Sequence, residues 1–270
     1  MNGAPHIDLV NVDTAALPVA SSTHQAPCEA CELQAQCLPA SLNATSDSQR
    51  RHLLNSLVRQ LQAHPLSQQY LFRQSTPFNT LYIVRAGAVK TILLDNSGCE
   101  QITGFYYPGD LFGLDGINTH QYATTSVALG QASVCAVDFS RLERISTFVP
   151  ALQHHIFRMM AREIERNQRM MAVLNHKSAD QRVAFLLLRY ALHLRRLNQP
   201  SQQFSIPMSR RDIANHLGLA VETVSRILSR LQRLALFRIE GRQVYGLDLA
   251  RLQAHFEAVD HRLPSPHSTQ

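Results

Sequence analysis

Near residue 150 the apolar pattern of this 270-residue chain changes period, which limits what can form on either side. From about 66 to 140, short apolar runs alternate with Gly, Pro and Asn turn signals. The runs are Leu81–Val84, Val89–Leu94, Ile102–Tyr107, Val127–Leu129 and Ser133–Val137. Closely spaced short strands of this kind predict a sandwich or barrel. After Pro150, Ile156, Met160, Ile164, Asn167, Met171 and Leu174 recur at spacings of 4, 4, 3, 4 and 3. That is a narrow apolar stripe with one polar interruption, the pattern of a coiled-coil seam. The opposite face carries Arg158, Arg162, Glu165, Arg166 and Arg169, so a dimer seam is expected rather than a core helix. A further helix is expected over 46–62, where Leu53, Leu54, Leu57, Val58 and Leu61 recur behind Asp47.

Residues 209–228 have the layout of a helix-turn-helix. Ser209 with Asp212 caps a first helix over 210–217. Gly218 supplies the positive φ of the turn. A second helix is expected over Ala220–Leu234, with Ile213, Leu217, Val224, Ile227, Leu228 and Leu231 as packing positions. Glu222, Thr223, Ser225 and Arg226 then project from its first turns, where this motif meets base edges. Arg bonds guanine O6 and N7 in a bidentate way, and Glu accepts from cytosine N4. Phe237–Leu247, centred on Gly241, predicts a hairpin wing whose Arg238 and Arg242 reach phosphate. A Pro200 and Pro207 loop separates this unit from a helix over 179–196.

Charge agrees with that polarity. Residues 1–150 hold 8 Lys+Arg against 11 Asp+Glu, and residues 151–270 hold 18 against 9. The basic half is the one a phosphate backbone attracts. No run approaches the about 20 apolar residues of a membrane span. Residues 1–26 lack the pattern of a signal peptide and are expected to be a mobile leader, so a cytoplasmic location without membrane contact is expected. His154-His155 and the scattered acids form no triad or metal-base spacing, so an enzyme is not expected.

Cys28, Cys31 and Cys37 are spaced C-x2-C-x5-C. Three thiols this close need a fourth ligand for an iron–sulfur cluster or a structural zinc. Cys99, in a turn, and Cys135, in a strand pattern, are the candidates, and spacing alone leaves both open. It also leaves open a dithiol switch.

The residues resemble those of the Crp/Fnr superfamily, and within it the FNR group of oxygen-responsive anaerobic regulators. The likeness runs from Cys28 to about Leu249. It rests on the cysteine set, on Glu100–Phe105, on Pro108-Gly109-Asp110-Leu111 and on Val221–Arg226. It implies an α+β chain: a β-roll similar to a cyclic-nucleotide-binding domain, a long dimerisation helix and a C-terminal winged helix-turn-helix. The expected boundaries are 1–26 for the leader, 27–149 for the cluster segment and roll, and 150–176 for the helix. They continue with 177–262 for the DNA-binding domain and 263–270 for a mobile tail.

The resemblance also implies a [4Fe–4S] cluster held by Cys28, Cys31, Cys37 and Cys135, with Cys99 an extra thiol. It implies a homodimer when cluster-loaded, weakened by oxygen. The implied partners are RNA polymerase, for which the 95–99 turn is a candidate surface, and double-stranded DNA carrying TTGAT inverted repeats. Glu222, Ser225 and Arg226 match the residues that read the half-site. Ser209, Arg210 and Thr223 complete the expected DNA surface. Asn167 stands where many relatives have an acid. There is no Lys or Arg from Thr91 to Ser140 to hold a phosphate, so no cyclic nucleotide is expected. The alternatives on the same scaffold are zinc, a thiol switch, or another small-molecule sensor.

Overall fold

The computed structural model describes Cys28, residues 31–34, residues 37–38, Leu54, residues 57–63 and residues 70–258. The expected leader and tail, and most of the expected 46–62 helix, lie outside the described residues. Leu54 and Leu57 are helical and buried, but that helix does not continue to 62. Val58–Ala63 is a strand, β1. It runs antiparallel to a later strand with Val58 opposite Val137 and Gln60 opposite Cys135, and Gln60 Nε2 donates to Ser133 Oγ at 3.2 Å. A six-residue ladder to a distant strand overrides the local helical spacing of Leu57, Val58 and Leu61.

The roll continues with β2 (Thr80–Ala86), β3 (Val89–Leu94), β4 (Glu100–Tyr106), β5 (Leu111–Phe112), β6 (Thr125–Ala128) and β7 (Ala132–Asp138). One sheet has the order β1-β7-β2-β5 and the other β4-β3-β6, all antiparallel. At the β2–β3 corner, Gly87 has φ 78° and an added Cβ would stand 2.3 Å from the Gln131 carbonyl oxygen. Only glycine fits there. The roll interior is filled by rings. Phe72 stacks on Tyr122 at 3.9 Å, and Tyr82 on Phe112 at 5.4 Å.

After β7 comes α1 (Phe139–Phe148), a helix the sequence reading did not anticipate. Asp138 caps it by accepting from Arg141 N. The chain bends at Val149, and Pro150 occupies the first turn of α2 (Pro150–His176). Proline suits that position because its missing N–H has no helical partner there. Then α3 (Ala179–Arg196) begins in a capping box between Ser178 and Gln181. A small sheet of β8 (Phe204–Ser205), β9 (Arg238–Glu240) and β10 (Gln243–Tyr245) flanks α4 (Arg210–Leu217) and α5 (Val221–Arg233). The last helix is α6 (Leu249–Glu257). Among the described residues no helix is long and apolar enough to cross a membrane.

Two buried cores result. One lies inside the roll and takes in Leu152 and Met159 of α2. The other joins Ile92, Ile102, Phe105 and Tyr107 of the roll to Leu186, Leu187, Ile213 and Leu217 of the C-terminal helices.

A nucleic-acid surface, a helix stripe and four thiols

The α4–α5 pair is built as its sequence reads. Ser209 Oγ accepts from Asp212 N at 3.0 Å, and Ser209 N donates to Asp212 Oδ2 at 3.0 Å. Gly218 turns the chain at φ 63°. Ile213, Leu217, Val224, Ile227, Leu228 and Leu231 are all buried. Burying that face leaves Arg210, Glu222 and Arg226 exposed, with Thr223 and Ser225 half-buried beside them. Arg210 donates to Ser225 Oγ at 3.2 Å and Arg226 to Thr223 Oγ1 at 3.3 Å, so these five side chains share one surface. Ser209 lies at its edge, with its hydroxyl engaged in the cap. Gly241 closes the β9–β10 wing at φ 60°. Arg238 lies over the Tyr245 ring, and Arg242 donates to the Pro207 carbonyl.

Helix α2 carries two adjacent stripes. Leu152, His155, Met159, Met170 and Val173 face the chain's own core and are buried. The stripe expected as a seam lies one residue further round. Ile156, Met160 and Leu174 are half-buried, while Ile164, Asn167 and Met171 are exposed. Ile164 and Met171 keep 57% and 62% of their surface open, so this apolar stripe is uncovered in a single chain.

The thiols occupy one side of the roll. Cys31 N donates to the Cys28 carbonyl at 3.2 Å, and Gln34 N to the Cys31 carbonyl at 3.0 Å, winding the cysteine segment into consecutive turns. Cys28, Cys37 and Cys135 all pack against the roll core, and Leu38 is part of it. Cys135 sits mid-strand in β7, between Gln60 of β1 and Ile83 of β2. Burial pushes the Cys37 thiol up to about 12, and the charges of Cys135, Cys28 and Cys31 add to the rise. Burial likewise pushes Cys135 up to about 12, with Cys28 and Cys31 adding to it. Cys28, Cys31, Cys37 and Cys135 are therefore electrostatic neighbours. Among the described residues no three His, Cys, Asp or Glu converge at metal-holding spacing. Cys99 stands apart, exposed in a turn where the Asp95 carboxylate accepts from Ser97 N and Cys99 N.

Sequence reasoning missed how the DNA-reading unit is held against the roll. Lys90 of β3 pairs with Asp212, the capping residue of α4, at 2.6 Å. Asn215 donates to the Glu100 carbonyl at 2.7 Å and accepts from Ile102 N at 2.6 Å, extending the exposed edge of β4. His216 meets the Ile102 carbonyl at 3.0 Å, and its ring packs on Phe105. A lone Lys in a strand gives no sign of a partner 122 residues away.

A β-roll joined through a long helix to a winged helix-turn-helix is the architecture of a DNA-binding transcription regulator, not of an enzyme. Family models place it further: residues 66–147 match the cyclic nucleotide-binding domain, and residues 181–255 the Crp-like helix-turn-helix domain. The chain belongs to the Crp/Fnr family. It is 42% identical over 232 residues to the transcriptional activator protein anr of Pseudomonas aeruginosa, covering 85% of this chain and 92% of the relative. It is 41% identical over 225 residues to the transcriptional activator protein FnrA of Stutzerimonas stutzeri, covering 83% and 90%. Among solved structures, FixK2 from Bradyrhizobium japonicum is similar at a TM-score of 0.67 and 30% identity, covering 76% of this chain and 99% of that one.

Proposed function

We propose that this chain regulates transcription of anaerobic metabolism in response to oxygen. In this reading a [4Fe–4S] cluster on Cys28, Cys31, Cys37 and Cys135 controls pairing of α2, and hence binding to TTGAT-type inverted repeats. One observation supports it: Cys28, Cys37 and Cys135 pack against the same roll core, and Cys135 sits mid-strand in the strand leading through α1 into α2. Relatives named as anaerobic regulators support the physiological side, among them the anaerobic regulatory protein of Haemophilus influenzae at 33% identity over 222 residues.

The donor set suits such a group. Thiolates are what iron–sulfur ligation uses, and this set offers four of them. When bound, the cluster supplies an oxygen-reactive centre and a covalent tie across the four thiols. The chain's own residues do the rest. Cys28, Cys31 and Cys37 would be tied to Cys135 of β7, ordering the end of the roll that feeds α1 and α2. The uncovered Ile164 and Met171 stripe then meets its copy in a partner. Two paired chains present two α5 helices to two half-sites, with Glu222, Ser225 and Arg226 reading bases. A monomer holds one half-site and binds far more weakly. RNA polymerase is the further partner, with the exposed 95–99 turn as its contact. The ring-filled roll interior, without a Lys or Arg from Thr91 to Ser140, supports a roll that works without cyclic nucleotide in the usual place.

The test is anaerobic purification followed by a visible spectrum, iron and sulfide assays, and DNA binding before and after air. About four irons and four sulfides per chain, with absorbance and DNA affinity both lost in air, are expected. A colourless protein that holds zinc or no metal after anaerobic reconstitution overturns the cluster.

A further inference from the structure

Away from the four cysteines, a cleft of about 600 Å³ opens where the roll, α2, α3 and α6 meet. Its size falls within the range of about 300–1,000 Å³ typical of small-molecule sites. Its walls are of two kinds. One is basic: Arg162, Arg166 and Arg169 of α2 face Arg189 and Arg196 of α3, with no lysine among them. The other is apolar and aromatic: Tyr107, Phe185, Leu192 and Phe256, with the Phe185 and Phe256 rings 5.3 Å apart.

The charges in the cleft do not cancel. Asp110 pairs with Arg166 at 3.2 Å and reaches Arg196 at 4.0 Å. Glu163 also pairs with Arg166, and Glu165 with Arg169. Those are all the acids of the cleft lining. Among the described residues, Arg162 has no carboxylate partner, and neither has Arg189, which donates to the Phe105 carbonyl at 3.0 Å and lies over the Tyr107 ring. Two guanidinium charges are thus left over beside an aromatic wall. The buried His193 Nε2 has no hydrogen-bond partner, and Leu192 keeps 40% of its surface open at the same cleft. Guanidinium forks match phosphate oxygens in geometry as well as charge, and a planar ring satisfies the aromatic side.

We propose that this cleft binds a small phosphate monoester bearing a planar ring, of mononucleotide size, with the phosphate on Arg162 and Arg189. A dianionic terminal phosphate matches two uncompensated guanidinium groups, and a cyclic phosphodiester with one charge matches them less well. The ligand would touch the roll, the pairing helix and the DNA-binding unit together, so occupancy would act on all three. The inference goes beyond the cluster reading and does not depend on it.

Isothermal titration of the full chain tests it, with 5′-AMP, 3′,5′-cyclic AMP and inorganic phosphate as probes. Arg189 supports the fold through Phe105, so Arg162→Gln and Leu192→Glu, at exposed positions, are the variants. The expected result is 5′-AMP binding that exceeds binding of both other probes. Affinity should weaken about tenfold in Arg162→Gln, the loss of one charge-assisted contact. It should vanish in Leu192→Glu, with circular dichroism unchanged in both. No binding of 5′-AMP, equal binding of inorganic phosphate, tighter binding of the cyclic compound, or affinity indifferent to both variants would each overturn the proposal.

Discussion

Asn215 shows how much one side chain can hold. Its amide donates to the Glu100 carbonyl and accepts from Ile102 N, while Gln101 Nε2 reaches the Asn215 carbonyl at 3.0 Å. It sits one turn from Asp212, which Lys90 holds from β3. The helix-turn-helix pair is thus attached to the roll through its first helix, α4. Asn215→Ala removes both side-chain bonds and leaves Ile102 N without its partner. A loss of about 1–3 kcal/mol in urea unfolding is expected, as for unsatisfied backbone groups. An unchanged midpoint would mean that water replaces the amide at no cost.

At the scale of the element, α2 separates two jobs that share one period. The buried stripe of Leu152, Met159, Met170 and Val173 ties it to its own chain. The neighbouring stripe of Ile164, Asn167 and Met171 is free for a partner. Asn167 Nδ2 reaches Glu163 at 3.4 Å within the helix. Sedimentation of the anaerobic protein should show Ile164→Glu as a monomer, because two like charges would face each other in a dry seam. Asn167→Asp should shift the equilibrium towards monomer more mildly. The cause is the like charge that the substitution places on both sides of the seam. Sedimentation identical to the unaltered chain for both variants would place the dimer contact elsewhere.

Across the whole molecule, the joint between roll and DNA-binding unit contains buried histidines. Burial pushes His216 down to about 4, helped by Arg189 and Arg166 and opposed by its bond to Ile102. Burial also pushes His193 down to about 4, with Asp110 opposing, and Arg196 and Arg189 assisting. Well above about pH 6.5 both are neutral in the folded and the unfolded chain, and the joint has its full stability. As pH falls from about 6.5 towards 4, the unfolded chain takes up protons that the folded chain refuses, so stability is lost. The loss is at most about 3 kcal/mol per histidine. Thermal unfolding between pH 7 and 4.5 should show this slope, and His193→Gln with His216→Gln should flatten it. Carboxylates that titrate in the same range are unaltered in the variant, so an unflattened slope would assign the acid loss to them.

What the sequence alone determined is what local period and short-range chemistry control. Five of the roll strands (β2, β3, β4, β6 and β7), the α2 register, the Ser209 cap, the Gly218 turn and the face that α5 buries follow from residues within a few positions of each other. The C-x2-C-x5-C spacing marked the thiol segment, but spacing could not choose its fourth member. The tertiary structure decided what depends on distant partners. It turned Val58–Ala63 from expected helix into a strand, because β7 offered six residues of ladder. It packed Cys28, Cys37 and Cys135 against one roll core and chose which of two adjacent stripes on α2 is buried. It also joined Lys90 to Asp212 and gathered five arginines at one cleft. Each of these outcomes depends on a neighbour tens of residues away, and no local spacing carries that information.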